Sequence, residues 1–185
     1  MDHTVESYKG WVADYNTANC GGLYAWGTPG ANGRTTTWDS SVTTGTADIA
    51  ANLWNGSWKM PTEDEFTALV DGLSSGTGTG TTLGLVWTLC DGSSTQYVSG
   101  CTLKGYKVSG KAGSTYASNS LFLPAAGSFR YSNKKVSNAG DYGNYWSSTP
   151  TGSSSAWSLY FSSVSQSVEY YSRKLGYSVR AVLVD

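Results

Sequence analysis

The last third of the chain, from Leu121 to Asp185, is rich in residues suited to binding a ligand. Serine and tyrosine make up 22 of the 51 residues between Ser128 and Ser178. Tyrosine offers a large amphipathic contact area for few frozen torsions, and serine offers adaptable hydrogen bonding, so paratopes favour the pair. The same two residues also suit solvated strands and turns. Composition therefore leaves both a binding surface and an ordinary solvated surface open.

One segment of this region shows how such a surface would be positioned. Successive side chains of an extended strand point to opposite faces. Trp157, Leu159 and Phe161 therefore share one face, which the alternation predicts to be core. The opposite face is predicted to be a solvent-facing surface, and it carries Ser158, Tyr160 and Ser162.

The chain lacks the groupings of residues that catalysis or metal binding requires. His3 is the only histidine, and no histidines, cysteines and carboxylates stand at metal-ligand spacing. Glu63, Asp64 and Glu65 form an acidic trio at a helix entry, where they compensate the helix dipole. No second polar cluster accompanies this trio, which argues against an acid–base role. The sequence predicts a protein with no enzymatic activity, no metal and no cofactor.

Length and charge bound the organisation and the partners. The 185 residues fit a single domain, residues 1–185, with a formal net charge of −1, which argues against a nucleic acid partner. Residues 121–185 hold six Lys/Arg against three Asp/Glu, a mild excess that would favour an acidic ligand but is equally typical of scattered solubilising charges. No run is apolar enough to span a bilayer, and residues 1–10 show no secretion signal.

The three cysteines allow one disulfide. Cys90 and Cys101 flank a turn-like insert, so their positions predict a hairpin bridge between them. Cys20 would then stay unpaired.

Two predicted helices precede the strands. Thr46 is the predicted N-cap of a short Ala-rich helix, with Asp48 in its first turn. Thr62 and Glu65, three residues apart, form a capping box for a second helix, and the apolar spacing of that helix begins at Phe66. The strands then follow, at Leu85–Leu89, Leu103–Val108 and Leu121–Leu123. Helices followed by an antiparallel sheet predict the α+β class.

Five motifs in order resemble known protein families. Residues 54–66, WNGSWKMPTEDEF, resemble the W-R-L/M-P-T-x-x-E-W/F helix entry of the formylglycine-generating-enzyme branch of C-type-lectin-like folds, with Lys59 where that pattern has Arg. The segments NSLFLPAAG, GNYWSSTP, AWSLYFSS and GYSVRAV are similar to the bacterial paralogous surface-domain family, which includes variable proteins diversified by retroelements. The resemblance runs from about Leu23 to the C-terminus and does not cover the N-terminal segment, residues 1–20.

This resemblance implies a C-type-lectin-like fold of the α+β class, with two helices packed on a twisted antiparallel sheet and long irregular loops. Residues 121–185 would form the ligand-binding, variable region. Its supporting frame would consist of Trp146, Trp157, Leu159, Phe161, Arg173 and Arg180. Its ligand contacts would be residues that randomised adenines in Asn codons produce: Tyr131, Asn133, Asp141, Tyr142, Asn144, Ser153, Ser155, Ser158, Tyr160, Ser162, Tyr170, Tyr171, Ser172 and Tyr177. Four charged residues cannot arise in this way and fall outside the set: Lys134, Lys135, Glu169 and Lys174.

The sequence and the resemblance together favour a ligand-recognition module of the adhesin or phage receptor-binding type. It would act at a cell surface, outside the cell or on a phage tail, and bind a protein or glycan on another cell or host surface. The alternative is a structural surface domain without a ligand. An enzyme like the formylglycine-generating branch would need a reactive cysteine pair near the C-terminus, and no cysteine follows Cys101. A calcium-dependent lectin would need clusters of oxygen ligands that the chain lacks.

Overall fold

The computed structural model describes residues 23–27, 48–53, 57–71, 78–79, 83–91, 104–130 and 135–184. In these ranges the chain forms two helices and thirteen strands, numbered in chain order: β1 (Tyr24–Ala25), α1 (Ile49–Leu53), β2 (Trp58–Lys59), α2 (Glu63–Val70), β3 (Gly78–Thr79), β4 (Leu85–Asp91), β5 (Lys104–Gly110), β6 (Ser120–Pro124), β7 (Ser128–Arg130), β8 (Lys135–Ser137), β9 (Gly143–Thr151), β10 (Ser155–Phe161), β11 (Gln166–Ser172), β12 (Gly176–Tyr177) and β13 (Val182–Leu183).

The predicted α+β class, with two helices on one sheet, is wrong. Strands hold 51% of the described residues, whereas α1 has five residues and α2 has eight. The described strands form four small antiparallel sheets, in the orders β1-β12-β7-β8, β11-β10-β9, β13-β2 and β3-β4-β5-β6. Helices of one or two turns cannot cover the apolar surface of these sheets. Other strands cover much of it, so the described architecture is mainly β.

The sheet β9–β10–β11, hereafter the central sheet, lies between two clusters of buried residues. On one face, α2 packs against all three strands and the sheet β3–β6 supplies further apolar side chains. The resulting first core comprises Phe66, Trp87, Tyr106, Val108, Leu123, Ala125, Tyr145, Leu159 and Phe161. The second core, which includes residues of the opposite face, comprises Tyr24, Trp26, Ile49, Ala50, Met60, Trp146, Ala156 and Tyr177. The central sheet therefore has buried residues on both faces, and these include the polar Ser158, which is 0% exposed.

The capping box at the start of α2 is confirmed. The Glu65 N–H donates to the Thr62 hydroxyl over 3.2 Å, and the Thr62 N–H donates to the Glu65 carboxylate over 2.7 Å. Lys59 forms an ion pair with Glu65 at 2.9 Å. Partial burial alone would raise the pKa of Glu65, but the hydrogen bonds with Thr62 and Lys59 and the charge of Lys59 together lower it. Phe66 is buried in the first core, as the helical spacing predicts.

The start of α1 differs in detail from the prediction. Thr46 lies outside the described residues, and the described helix begins at Ile49. Asp48 immediately precedes it, and its carboxylate accepts hydrogen bonds from the backbone N–H groups of Ala51, at 3.0 Å, and Met60, at 2.8 Å. Asp48 therefore caps the helix and ties it to Met60, the residue that follows β2, instead of lying in the first turn.

The alternation along β10 predicts correctly which side chains share a face, but the prediction that the second face is exposed to solvent is wrong. Leu159 and Phe161 are buried in the first core, and Ser158 projects from the opposite face. That face is covered here, however, so Ser158 is 0% exposed and its hydroxyl donates to the Glu169 carbonyl over 3.2 Å. Ser162 is also buried, and its hydroxyl interacts with that of Ser165 in the turn after β10. Neither serine is a solvent-facing contact.

Four of the six residues predicted to form the supporting frame are buried. They are Trp146, Leu159, Phe161 and Arg173, whose guanidinium lies 4.2 Å above the Trp26 ring. Trp157 is only half-buried, so its predicted place in the core is wrong, and Arg180 is exposed. The register between β9 and β10 shifts between Ala156 and Ser158, with the additional residues in β9, whereas Trp157 keeps its regular pairing with Tyr170 of β11.

The predicted Cys90–Cys101 bridge stays a prediction, because Cys20 and Cys101 lie outside the described residues. Cys90 is buried in β4. The N-terminal segment, residues 1–20, also lies outside the described ranges. Within those ranges, no helix has the length and apolar character needed to cross a membrane.

Candidate functional site

The candidate site is a cleft of about 730 Å³ at one end of the central sheet. This volume lies within the roughly 300–1,000 Å³ of small-molecule sites. We name it the tyrosine cleft, and its lining comprises Ser128, Arg130, Asn138, Tyr142, Asn144, Tyr160, Glu169, Tyr171, Lys174, Leu175 and Tyr177. Four aromatic rings, three charged groups and several amide or hydroxyl groups therefore face one cavity.

The floor of the cleft follows from the register of the central sheet. Tyr160 pairs with Asn144 of β9 and with Ser167 of β11, and residues paired across an antiparallel sheet project to the same face. Glu169 and Tyr171 lie two and four residues after Ser167, so alternation places them on that face too. It is the face that carries Trp146 in the second core. One end of this face is packed, and the other forms the cleft.

Gly127 positions two cleft residues from the side. Its N–H donates to the Tyr142 carbonyl over 2.7 Å, and its carbonyl accepts from the Asn144 amide over 3.2 Å. Gly127 has a φ of +72°, a left-handed conformation that favours glycine. The loop before β7 therefore fixes both Tyr142 and Asn144 through one backbone unit.

Aromatic contacts connect the cleft with the second core. The rings of Tyr142 and Tyr160 lie 5.6 Å apart, and those of Tyr171 and Tyr177 lie 5.8 Å apart in an edge-to-face arrangement. Tyr177 also packs on Trp146, with ring centroids 4.3 Å apart. Such packing holds the tyrosine rings in place before any ligand arrives.

The Glu169 carboxylate lies among hydroxyl groups. It accepts from the Ser167 hydroxyl over 2.6 Å and from the Tyr171 hydroxyl over 2.5 Å. An ionised carboxylate has about four acceptor positions, so Glu169 can accept further hydrogen bonds from a ligand. In the part of the chain that the structure describes, no group of three or more His, Cys, Asp or Glu residues is placed to hold a metal ion.

Three of the cleft tyrosines, Tyr160, Tyr171 and Tyr177, are held in their neutral, hydrogen-bond-donating form. Burial, followed by the hydrogen bond and charge of Glu169, raises the pKa of Tyr171 to about 12. Burial also raises the pKa of Tyr177. The pKa of Tyr160 is raised as well, because the effect of burial exceeds the opposite effect of a hydrogen bond with Ser162. At neutral pH these hydroxyls therefore act as uncharged donors.

The pKa of Tyr171 predicts a loss of stability in alkali. Because the folded-state pKa, about 12, exceeds the ordinary value of 10.0, Tyr171 contributes stability that is present below pH 10 and is lost as the pH rises toward 12. We expect Tyr171→Phe to destabilise the protein at neutral pH and to flatten its stability loss between pH 10 and 12. Urea unfolding of both proteins across this range measures the effect. Parallel losses in the two proteins would contradict the assignment.

The structure brings five of the fourteen predicted contact residues together in the tyrosine cleft. They are Tyr142, Asn144, Tyr160, Tyr171 and Tyr177. Asn144 and Tyr177 are buried overall, and Tyr160 and Tyr171 are half-buried, so the prediction that Tyr160 lies on a freely solvent-facing surface is wrong.

Seven of the other predicted contact residues lie elsewhere. Asp141 and Ser162 line a neighbouring cleft of about 430 Å³, which shares Tyr142 with the tyrosine cleft. Tyr170 is 61% exposed, but it projects from the opposite face of β11 and packs edge-on against Trp157. Four serines do not line the tyrosine cleft: Ser153 and Ser172 are exposed, Ser155 is half-buried and Ser158 is buried. Tyr131 and Asn133 lie outside the described residues, so their predicted role stays a prediction.

Six lining residues are not among the predicted contacts: Ser128, Arg130, Asn138, Glu169, Lys174 and Leu175. For Glu169, the sequence held a usable signal. It precedes Tyr171 by two residues within a strand, so alternation alone puts both side chains on one face. Glu169 and Lys174 were left out of the predicted contacts because randomised adenines in Asn codons cannot produce them, although both line the cleft.

Comparison with known proteins adds one family match. Residues 108–182 match a family described as a domain of unknown function, DUF8237, and this range includes every residue that lines the tyrosine cleft. No curated protein and no solved structure matches the chain.

Proposed function

We propose that the chain is a ligand-recognition module whose ligand occupies the tyrosine cleft. The observation that carries this proposal is the convergence of four tyrosines on one cavity from four places in the chain. Tyr142 precedes β9, Tyr160 lies in β10, Tyr171 in β11 and Tyr177 in β12. Tyrosine supplies contact area and a hydrogen-bond donor at little entropic cost, as in antibody paratopes.

Preorganisation of the cleft supports the proposal. Gly127 fixes Tyr142 and Asn144, and the Trp146 ring supports Tyr177. A ligand would meet side chains already held in position, so less conformational entropy would be lost on binding.

The geometry favours recognition over catalysis. The Tyr171 hydroxyl donates to Glu169, and its pKa is raised, which makes the hydroxyl a poor nucleophile at neutral pH. Both oxygens of Glu169 accept hydrogen bonds from hydroxyl groups of the protein. We assign these groups the role of binding and orienting a ligand.

The proposal extends to the setting of the protein. A module of this kind would act at a cell surface, outside the cell or on a phage tail, and recognise a molecule on another cell or host surface. If retroelements diversify this cleft, the neighbouring DNA will contain a near-repeat of the region coding for residues 127–182 that differs at adenines, beside a reverse transcriptase. Sequencing the flanking DNA tests that part alone.

The central test compares two tyrosines of the central sheet that project from opposite faces. Binding of the wild type to arrays of oligosaccharides and extracellular proteins is measured alongside Tyr160→Ala and Tyr170→Ala. Because Tyr160 lines the cleft and Tyr170 does not, we expect at least about a tenfold weaker affinity for Tyr160→Ala and less than about a twofold change for Tyr170→Ala. Melting curves of both variants control for folding.

The outcomes separate the alternatives. Loss of binding in Tyr170→Ala alone would place the site on the opposite face of β11. Unchanged binding in both variants, or no binding by the wild type to any arrayed molecule, would favour a structural surface domain without a ligand in this cleft.

A further inference from the structure

The charges around the tyrosine cleft point to the chemical class of its ligand. Resting on the proposed function, we propose that the cleft binds an anionic saccharide, with Arg130 and Lys174 contacting its acidic group and Glu169 accepting from its hydroxyls. Among the described residues of the lining, the charged ones are Arg130, Glu169 and Lys174, so their summed charge is positive.

The two cations are available to a ligand. Arg130 ends β7 and Lys174 follows β11, and both are exposed. Neither forms an ion pair with any residue that the structure describes, and Glu169 accepts its hydrogen bonds from the hydroxyls of Ser167 and Tyr171. An acidic group of a ligand would therefore not have to displace an internal carboxylate from either cation.

The rest of the lining distinguishes a sugar acid from a simple anion. Glu169 would repel a ligand that presents only negative charge, such as inorganic phosphate. A saccharide also presents hydroxyl groups, which can donate to the Glu169 carboxylate and to the side-chain Oδ1 of Asn144, and C–H faces that can pack on the rings of Tyr142 and Tyr160. An acidic peptide offers fewer donors in addition to its charges. The volume of about 730 Å³ leaves room for a small oligosaccharide.

The test uses the full chain on two arrays: one of neutral, carboxylated and sulfated oligosaccharides, and one of neutral and acidic peptides. We expect binding to be confined to charged saccharides. The best-bound member is then compared in solution with its methyl ester or desulfated form, which keeps the sugar ring but loses the charge. We expect at least about a tenfold loss of affinity on removing the charge, and weaker binding at higher salt.

Three variants assign the charge recognition to residues. Arg130→Gln and Lys174→Gln should each weaken binding of the acidic saccharide at least about fivefold and leave the neutral form within about twofold. Lys111→Gln is the matched control, because Lys111 is exposed in a turn away from the cleft, and it should change neither affinity.

Equal binding of charged and neutral forms, or binding of acidic peptides alone, would overturn the saccharide assignment. In either case, loss of that binding in Tyr160→Ala would leave the proposed function standing. Binding that Tyr160→Ala leaves unchanged, or no binding on either array, would overturn both proposals.

Discussion

Replacing Trp146 with alanine is expected to lower the free energy of unfolding by about 3–5 kcal/mol, the range for large buried aromatics. Trp146 is 0% exposed in the second core, where its ring packs on Tyr177. Its indole N–H also donates to the Tyr24 carbonyl over 2.8 Å. The substitution would leave a cavity and remove this hydrogen bond. Urea unfolding, with the midpoint and slope fitted together, measures the loss.

Trp157→Ala is the matched control, since it removes the same side chain from the neighbouring strand. Trp157 is half-buried opposite the register shift in β9, and its ring packs against the exposed ring of Tyr170. We expect a loss of about 1 kcal/mol. If both substitutions cost the same, burial in the second core does not determine the contribution of Trp146.

Gly127→Ala is expected to cost about 2–5 kcal/mol and to weaken binding in the tyrosine cleft at least about tenfold. A Cβ atom at this position would lie 2.2 Å from the Ser137 carbonyl oxygen and 2.7 Å from the Ala139 nitrogen. Both are backbone atoms, so the loop itself would have to move. That movement would displace Tyr142 and Asn144, which Gly127 holds by hydrogen bonds.

Gly113→Ala isolates the steric part of this effect. Gly113 has a similar φ of +84°, but nothing lies within 4 Å of the added Cβ atom. We expect only the conformational cost of about 1–2 kcal/mol and no change in binding. Equal losses of stability for the two variants, measured by urea unfolding, would mean that the contact with Ser137 is relieved without strain.

The features predicted correctly from the sequence depend on residues close together in the chain. The capping box needs only Thr62 and Glu65, and the faces of β10 need only the alternation from Leu159 to Phe161. The register shift of β9 opposite Trp157 and the cover over Ser158 are different. They depend on β9 and on a second core that includes Tyr24, Trp26 and other residues distant in the chain. No local pattern contains that information.

The cleft was predictable in part for the same reason. Tyr160 and Tyr171 could be assigned to strand faces by alternation. Arg130 joins them only because β7 lies beside β12 in the sheet order β1-β12-β7-β8, a pairing between segments far apart in the sequence. Lys174 follows β11 in a turn, where alternation carries no signal.

The pairing of β1 with β12 has a consequence during synthesis on the ribosome. The indole N–H of Trp26 donates to the Ser147 carbonyl, 121 residues later, and Tyr24 pairs with Tyr177. At about 5–20 residues per second, Trp26 precedes its partner by roughly 6–24 s. When Ser147 has been synthesised, most strands of the first core have also been synthesised, but the second core cannot yet form. The nascent chain therefore presents two aromatic residues to chaperones until its C-terminal strands emerge.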